Sequence, residues 1–316
     1  MSLKNVTEFL RRIDSDPGAF RNDAELSAYA NSQLIHVSQK LYETQFAQPK
    51  YAQILPVNTE IPAGAASYQV DNVTDVGEAL ITDDYAADSP GVDEILESDL
   101  RKLVPIRAHY NYTVQHLREA AMTGRSLPLR RALIARRVIE RSLNKLFAQG
   151  NADYDILGFF NQDVDTDDVA GGAWSSKDPD ERVADIQEMV SFLKTNSLDI
   201  EGGSGLALVL PSNKFDLLRA AMPSTAVSAL SFLQQSIPEL SAIHTWNYAT
   251  NAGDGGAKDR MVLFTPSAEK IEALLPVSLY DHPAEQRGLS WNVELEARAG
   301  GVALYVPGSM VYRDGF

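Results

Sequence analysis

The charges of this 316-residue chain are segregated along its length, and that limits its folding more than any other feature of the sequence. Residues 51–100 hold eleven carboxylates (Glu60, Asp71, Asp75, Glu78, Asp83, Asp84, Asp88, Asp93, Glu94, Glu97 and Asp99) and no lysine or arginine. Residues 113–149 hold Arg118, Arg125, Arg130, Arg131, Arg136, Arg137, Arg141 and Lys145 against Glu119 and Glu140, a local balance of +6. Like charges so concentrated repel one another, so each segment calls for solvent or for an oppositely charged surface. Within the acidic segment, Ala66-Ser67-Tyr68-Gln69-Val70 alternates as a strand does, and Leu103 to Thr113 reads as the strand returning to it. Gly77, Pro90 and Gly91 fall between them. A two-stranded excursion is marginal alone in water and must rest on something else.

The basic segment reads as helix. A short helix spans Thr113 to Met122 and ends near Gly124. Ser126 is then a suitable N-cap, and Pro128 sits in the first turn, where its missing N–H costs nothing. Leu129, Ala132, Leu133, Ile139, Leu143, Leu146 and Phe147 form an apolar stripe, and Gly150 closes the helix. Such a helix is usually a core element with a solvated basic face. In a chain of net charge -15, a basic run this strong points to an anionic partner.

The remaining segments set the fold class. Val6, Phe9, Leu10 and Ile13 have helical spacing before Asp16-Pro17-Gly18, and a second helical stretch covers Asp23 to Ser38. These first fifty residues read either as an arm packing on a neighbour or as a small subdomain. A loop-rich stretch spans Asp153 to Asp178, followed by a helix over Asp180 to Thr195 and a buried strand, Leu206 to Leu210. Helices follow near Asn213–Ala221 and Thr225–Gln235, then short strands with a loop tip at Thr250 to Gly256. The C-terminus reads as a hairpin, with Leu289 to Ala297 alternating, Gly300-Gly301 turning and Val302 to Val306 returning. The class is α+β.

Several chemistries are excluded or unsupported. With no cysteine there are no disulfides, thiolate metal sites or cysteine nucleophiles. The five histidines (His36, His109, His116, His244, His282) form no His-x-x-x-His pair. Asp163, Asp165 and Asp167 resemble a calcium loop, but the sixth and twelfth positions are Asp168 and Trp174 instead of Gly and Glu, so a solvated acidic turn fits better. Glu201-Gly202-Gly203-Ser204-Gly205 precedes a strand, the reverse of a phosphate loop. No Gly-x-Ser-x-Gly occurs, and nothing in the spacing selects two of the 43 carboxylates as acid and base. No apolar run approaches a membrane span, and the N-terminus lacks a signal-peptide core. No catalytic, cofactor or metal residue is assigned, and the expectation is a protein that is not an enzyme.

Three passages in order carry a family resemblance. Ser126 to Gly150, with the following NADYDILGFFN (Asn151 to Asn161), is similar to the long spine helix and the glycine-aromatic passage of tailed-phage capsid proteins of the HK-ninety-seven type, a fold shared with encapsulins. Asp185 to Met222 resembles that fold's helix, buried strand and proline break, and Glu296 to Phe316 resembles its last strands. The resemblance implies an N-terminal arm (1–50), an extended E-loop (51–112), a peripheral domain (113–197 and 281–316) and an axial domain (198–280).

It also implies a shell of pentamers and hexamers enclosing double-stranded DNA. Portal and scaffold or decoration proteins would be further partners, and the location would be the virion, assembled in host cytoplasm. The chain lacks room for the long N-terminal scaffolding segment of larger relatives, so a separate scaffold, or none, is expected. Residues 51–100 contain no lysine, which argues against an isopeptide cross-link there. Two roles follow for Arg130, Arg131, Arg136, Arg137, Arg141 and Lys145: a seat for the acidic loop of a neighbour (Asp83, Asp84, Asp88, Asp93, Glu94), or a wall facing DNA. Pairing with the chain's own carboxylates is the plainer reading of that basic face. An encapsulin-type compartment and an unrelated α+β enzyme are the competing functions.

Overall fold

The computed structural model describes residues 49–77, 79, 91–123, 127–168, 172–197, 205–223 and 227–316. Residues 1–48 of the proposed arm, the loop carrying Asp83, Asp84 and Asp88, and Ser126 lie outside the described residues. The described chain begins with α1 (Tyr51–Ile54), β1 (Val57–Asn58), and a ribbon of β2 (Ser67–Val76) and β3 (Asp93–Lys102). Strand β4 (Val104–Thr113) and helices α2 (Val114–Thr123) and α3 (Leu127–Gln149) come next, then β5 (Thr166–Asp168) and α4 (Pro179–Ser197). The rest comprises β6 (Leu206–Leu210), α5 (Ser212–Leu217), α6 (Ala229–Ser236), β7 (Leu240–Thr245), β8 (Arg260–Phe264), β9 (Ile271–Leu274) and β10 (Val277–Asp281). It ends with β11 (Glu285–Arg287), β12 (Ser290–Ala299), β13 (Val302–Leu304) and β14 (Met310–Asp314).

Strand β6 shows why the interior is layered. Its sequence, LALVL, has no polar residue, because both faces are covered. It lies inside a five-stranded sheet of order β5-β14-β8-β6-β7. Leu206, Leu208 and Leu210 pack with Val183, Ile186, Met189 and Leu193 of α4 and Leu233 of α6. Ala207 and Val209 join Phe147, Phe159 and Trp246 on the other face. Helix α6 begins at Ala229, later than the apolar pattern suggests, because the Ser228 side chain accepts the Ser231 N–H and fixes the first turn there.

Helix α3 covers a second sheet, β10-β12-β11 with β4 on the other side of β12. Ala135, Ile139, Leu143, Leu146 and Phe147 are buried at helical spacing against Ile106, Ala108, Leu295 and Ala297. Leu133, expected in that stripe, is 45% exposed. Six residues before Ile139, it points about 120° away around the helix. After the helix, Gly150 takes a left-handed φ of 67°. A Cβ on Gly158 would lie 2.3 Å from the Gly150 nitrogen, so only glycine permits this crossing. Asn161 Oδ1 accepts the Gly158 N–H at 2.5 Å, and Phe159 and Phe160 enter the core. The GFFN passage is thus a packing device.

Two expected hairpins pair differently. Strand β2 returns through β3, with Ser67 opposite Lys102 and Val76 opposite Asp93, and Leu103–Thr113 is not its partner. Strand β4 pairs instead with β12 over ten residues, because its alternating Ile106, Ala108 and Tyr110 find apolar cover only under α3. Strand β13 pairs with β9 and not with β12. Gly301, at φ 76°, turns the chain where a Cβ would lie 2.3 Å from the Leu157 carbonyl oxygen. No helix among the described residues is long and apolar enough to cross a membrane.

Candidate assembly surfaces

The ribbon β2–β3 forms a sheet of its own. Alternation puts Gln69, Asp71, Glu94, Leu96, Ser98 and Leu100 on one face, and Tyr68, Val70, Asp93, Ile95, Asp99 and Arg101 on the other. Leu96 is 62% and Leu100 60% exposed, and Ile95 is half exposed. Asp71 accepts hydrogen bonds from Gln69 Nε2 at 2.8 Å and Ser98 Oγ at 2.6 Å, which hold its carboxyl below the usual range. Asp93 and Glu94 are exposed at the far end of the ribbon, where Asp93 Oδ1 accepts the Glu94 N–H. An isolated ribbon with exposed leucines between carboxylates is incomplete as a monomer surface.

The exposed side of α3 has the complementary composition. Leu133, Ile134 and Val138 are exposed, between Arg136, Arg137, Arg141 and Lys145. The basic residues divide by role. Arg131 donates to the Asn111 carbonyl at 2.5 Å and lies 3.3 Å from His116 Nδ1, tying the helix to the end of β4. Arg136 reaches Asp281 of β10 at 3.4 Å, with both side chains half exposed, so the pair contributes little stability. Arg130 is half buried, while Arg137, Arg141 and Lys145 line the open side. Arg136 is thus one of the basic residues paired within the chain. The apolar residues on both surfaces were not among the sequence-derived candidates, although DEILESDL and the out-of-phase Leu133 carry the signal.

One buried charge cluster also escaped the sequence reading. Arg313 of β14 is fully buried, bonded to Asp167 and to the Asp185 carbonyl, and 3.0 Å from Glu188. Asp185 in turn accepts from Trp174 Nε1 at 2.8 Å and pairs with Lys177 at 2.8 Å. Asp167, part of the acidic turn, is thus a counter-ion for Arg313. The cluster fastens the loop between β5 and α4 to the five-stranded sheet.

A spine helix under a sheet, a separate ribbon and a five-stranded sheet buried on both faces define the HK-ninety-seven-type shell-protein fold. The capsid of Myoviridae phage XM1 superposes with TM-score 0.79 at 18% identity, covering 90% of this chain and 98% of that one. Mycobacterium phage Ogopogo gives 0.60 at 13% identity, covering 90% and 98%. A virus-like particle from Pyrococcus furiosus gives 0.54 at 11% identity, covering 83% and 91%. A comparison with curated protein sequences finds no match. The family model described as major capsid protein matches residues 77–316. The chain belongs to the major capsid protein family, and it is a structural subunit that self-assembles into a capsid shell and forms part of the virion.

Proposed function

We propose that copies of this chain form pentamers and hexamers of an icosahedral shell around double-stranded DNA. Residues 198–280 would turn toward the capsomer centres, and within 51–112 the ribbon β2–β3 would reach across a neighbour, since β1 and β4 pair with strands of the body. Asp93 and Glu94, with Asp83, Asp84 and Asp88, would face the Arg137, Arg141 and Lys145 side of α3 in the adjacent copy. The observation that carries this reading is the match in composition: exposed leucines among carboxylates on the ribbon, exposed Leu133, Ile134 and Val138 among cations on the helix. A surface built only for DNA has no use for those aliphatic side chains, whereas a protein interface core does. Arg130, Arg131, Arg137 and Arg141 would act secondarily on packaged DNA through sequence-independent screening. Assembly in host cytoplasm with portal and scaffold or decoration proteins completes the proposal.

Negative-stain microscopy of the purified protein tests it. The parent should give uniform shells, and Arg137→Glu with Arg141→Glu should give only free subunits or open fragments. Parent-like shells from that variant would remove the ribbon from the helix. Particles that retain a full genome after those four arginines are neutralised would remove the DNA role.

A further inference from the structure

The ribbon joins the body through a small, closed cluster at its base. Strand β3 runs almost directly into β4, with only Leu103 between them. Leu103 is 4% exposed and packs with Ile61, Leu274 and Ala303, and Tyr68 and Tyr305 pack against the same group. A Cβ on Gly300 would lie 2.6 Å from Leu103 Cδ2, so the bend is fitted closely. The Leu103 N–H donates to the Ala66 carbonyl at 3.1 Å and closes the neck of the ribbon.

Polar groups complete the cluster. Tyr305 Oη donates to Glu272 Oε2 at 2.9 Å, and Asn58 Nδ2 donates to the same oxygen at 2.8 Å. Tyr68, the second residue of β2, packs against the same cluster as Tyr305, which follows β13, so the start of the ribbon rests on the body there. Burial, then these bonds, push the Tyr305 phenol well above its usual pKa, as expected of a phenol used only in its protonated form.

Leverage makes this consequential. Ten residues of strand extend about 33 Å, so play of about 10° at the base moves the far end by about 6 Å, more than one strand spacing. A ribbon so loose would meet its seat in many wrong registers, and the ordering cost would fall on assembly. We propose that Tyr305, held on Glu272, and Tyr68, packed on the same cluster, are positioning residues that aim the ribbon in the free subunit before copies meet. The inference rests on the reading that the ribbon docks on a neighbour.

The chain has no cysteine, so spin labels can be placed without background at Val92→Cys, an exposed position outside the proposed contacts, and at Gln149→Cys. In dilute, unassembled parent subunits the label-to-label distance should be narrowly distributed. Tyr68→Ala with Tyr305→Phe should broaden it at least twofold and raise the free-subunit concentration at the assembly plateau at least threefold, while circular dichroism still shows a folded subunit. Glu272→Gln should behave as the parent, because one amide oxygen can accept both hydrogen bonds. A broad distribution in the parent, an unbroadened one in the double variant, or broadening with unaltered assembly would each overturn the proposal. A parent with a narrow distribution that forms no shells would instead sink the docking reading and leave the base cluster standing.

Discussion

Replacing Leu96 and Leu100 by serine separates apolar docking from charge steering. Each side chain is about three-fifths exposed in the subunit, so the change should leave subunit folding almost untouched. Complete burial of a leucine is worth about 1.5–3 kcal/mol, so the fraction still available to a partner is about 1.5 kcal/mol per residue, or about 3 kcal/mol for the pair. In a closed ring each subunit gives one ribbon and receives one, so one such contact is lost per subunit. At 1.4 kcal/mol per tenfold, the free-subunit concentration at the assembly plateau should rise on the order of 100-fold. Analytical sedimentation of assembled mixtures reads that concentration, with circular dichroism melting as the folding control. Salt provides the contrast, since the screening length falls from about 10 Å at 0.1 M to about 3 Å at 1 M. A plateau within threefold of the parent, with shells that dissolve in high salt, would show that charge holds the ribbon and that the apolar argument is wrong.

Two further outcomes concern the body of the subunit. Arg313→Leu should lower unfolding free energy by about 3–5 kcal/mol, because Asp167 and Asp185 lose a buried counter-ion; a urea midpoint close to the parent's would contradict this. Tyr312 donates to the Phe159 carbonyl and accepts from the Gln162 N–H, and burial pushes its phenol well above the usual 10.0. The unfolded phenol loses its proton first, so this contribution is intact below pH 10 and is lost as pH rises toward the folded value. Urea midpoints should therefore fall between about pH 9 and 11, less steeply in Tyr312→Phe, and a flat profile in the parent would refute the assignment.

Local pattern was enough where one element decides its own surroundings. LALVL could only be a strand covered on both faces, and the spacing of Ile139, Leu143 and Leu146 could only be the buried side of a long helix. Pairing was less legible. Leu103–Thr113 alternates as a ribbon strand would, and nothing local shows that its partner, β12, lies about 180 residues downstream. Arg313 was invisible for a similar reason, since its counter-ions come from two other segments. The basic face was found from charge alone; of its aliphatic residues Leu133 was assigned to the core and Ile134 and Val138 to nothing, because composition cannot tell which side of a helix a neighbour will cover.

The near-continuity of β3 with β4 has a mechanical consequence. A pull on the ribbon reaches β4 through Leu103 alone, and β4 is held by a ten-residue antiparallel ladder with β12. When β4 is loaded along its own length, the cross-strand bonds share the tension and must slide together, whereas a pull across the strands would open them one at a time. Tension passed from one copy to the next along β4 would thus meet the subunit in its stiffest direction.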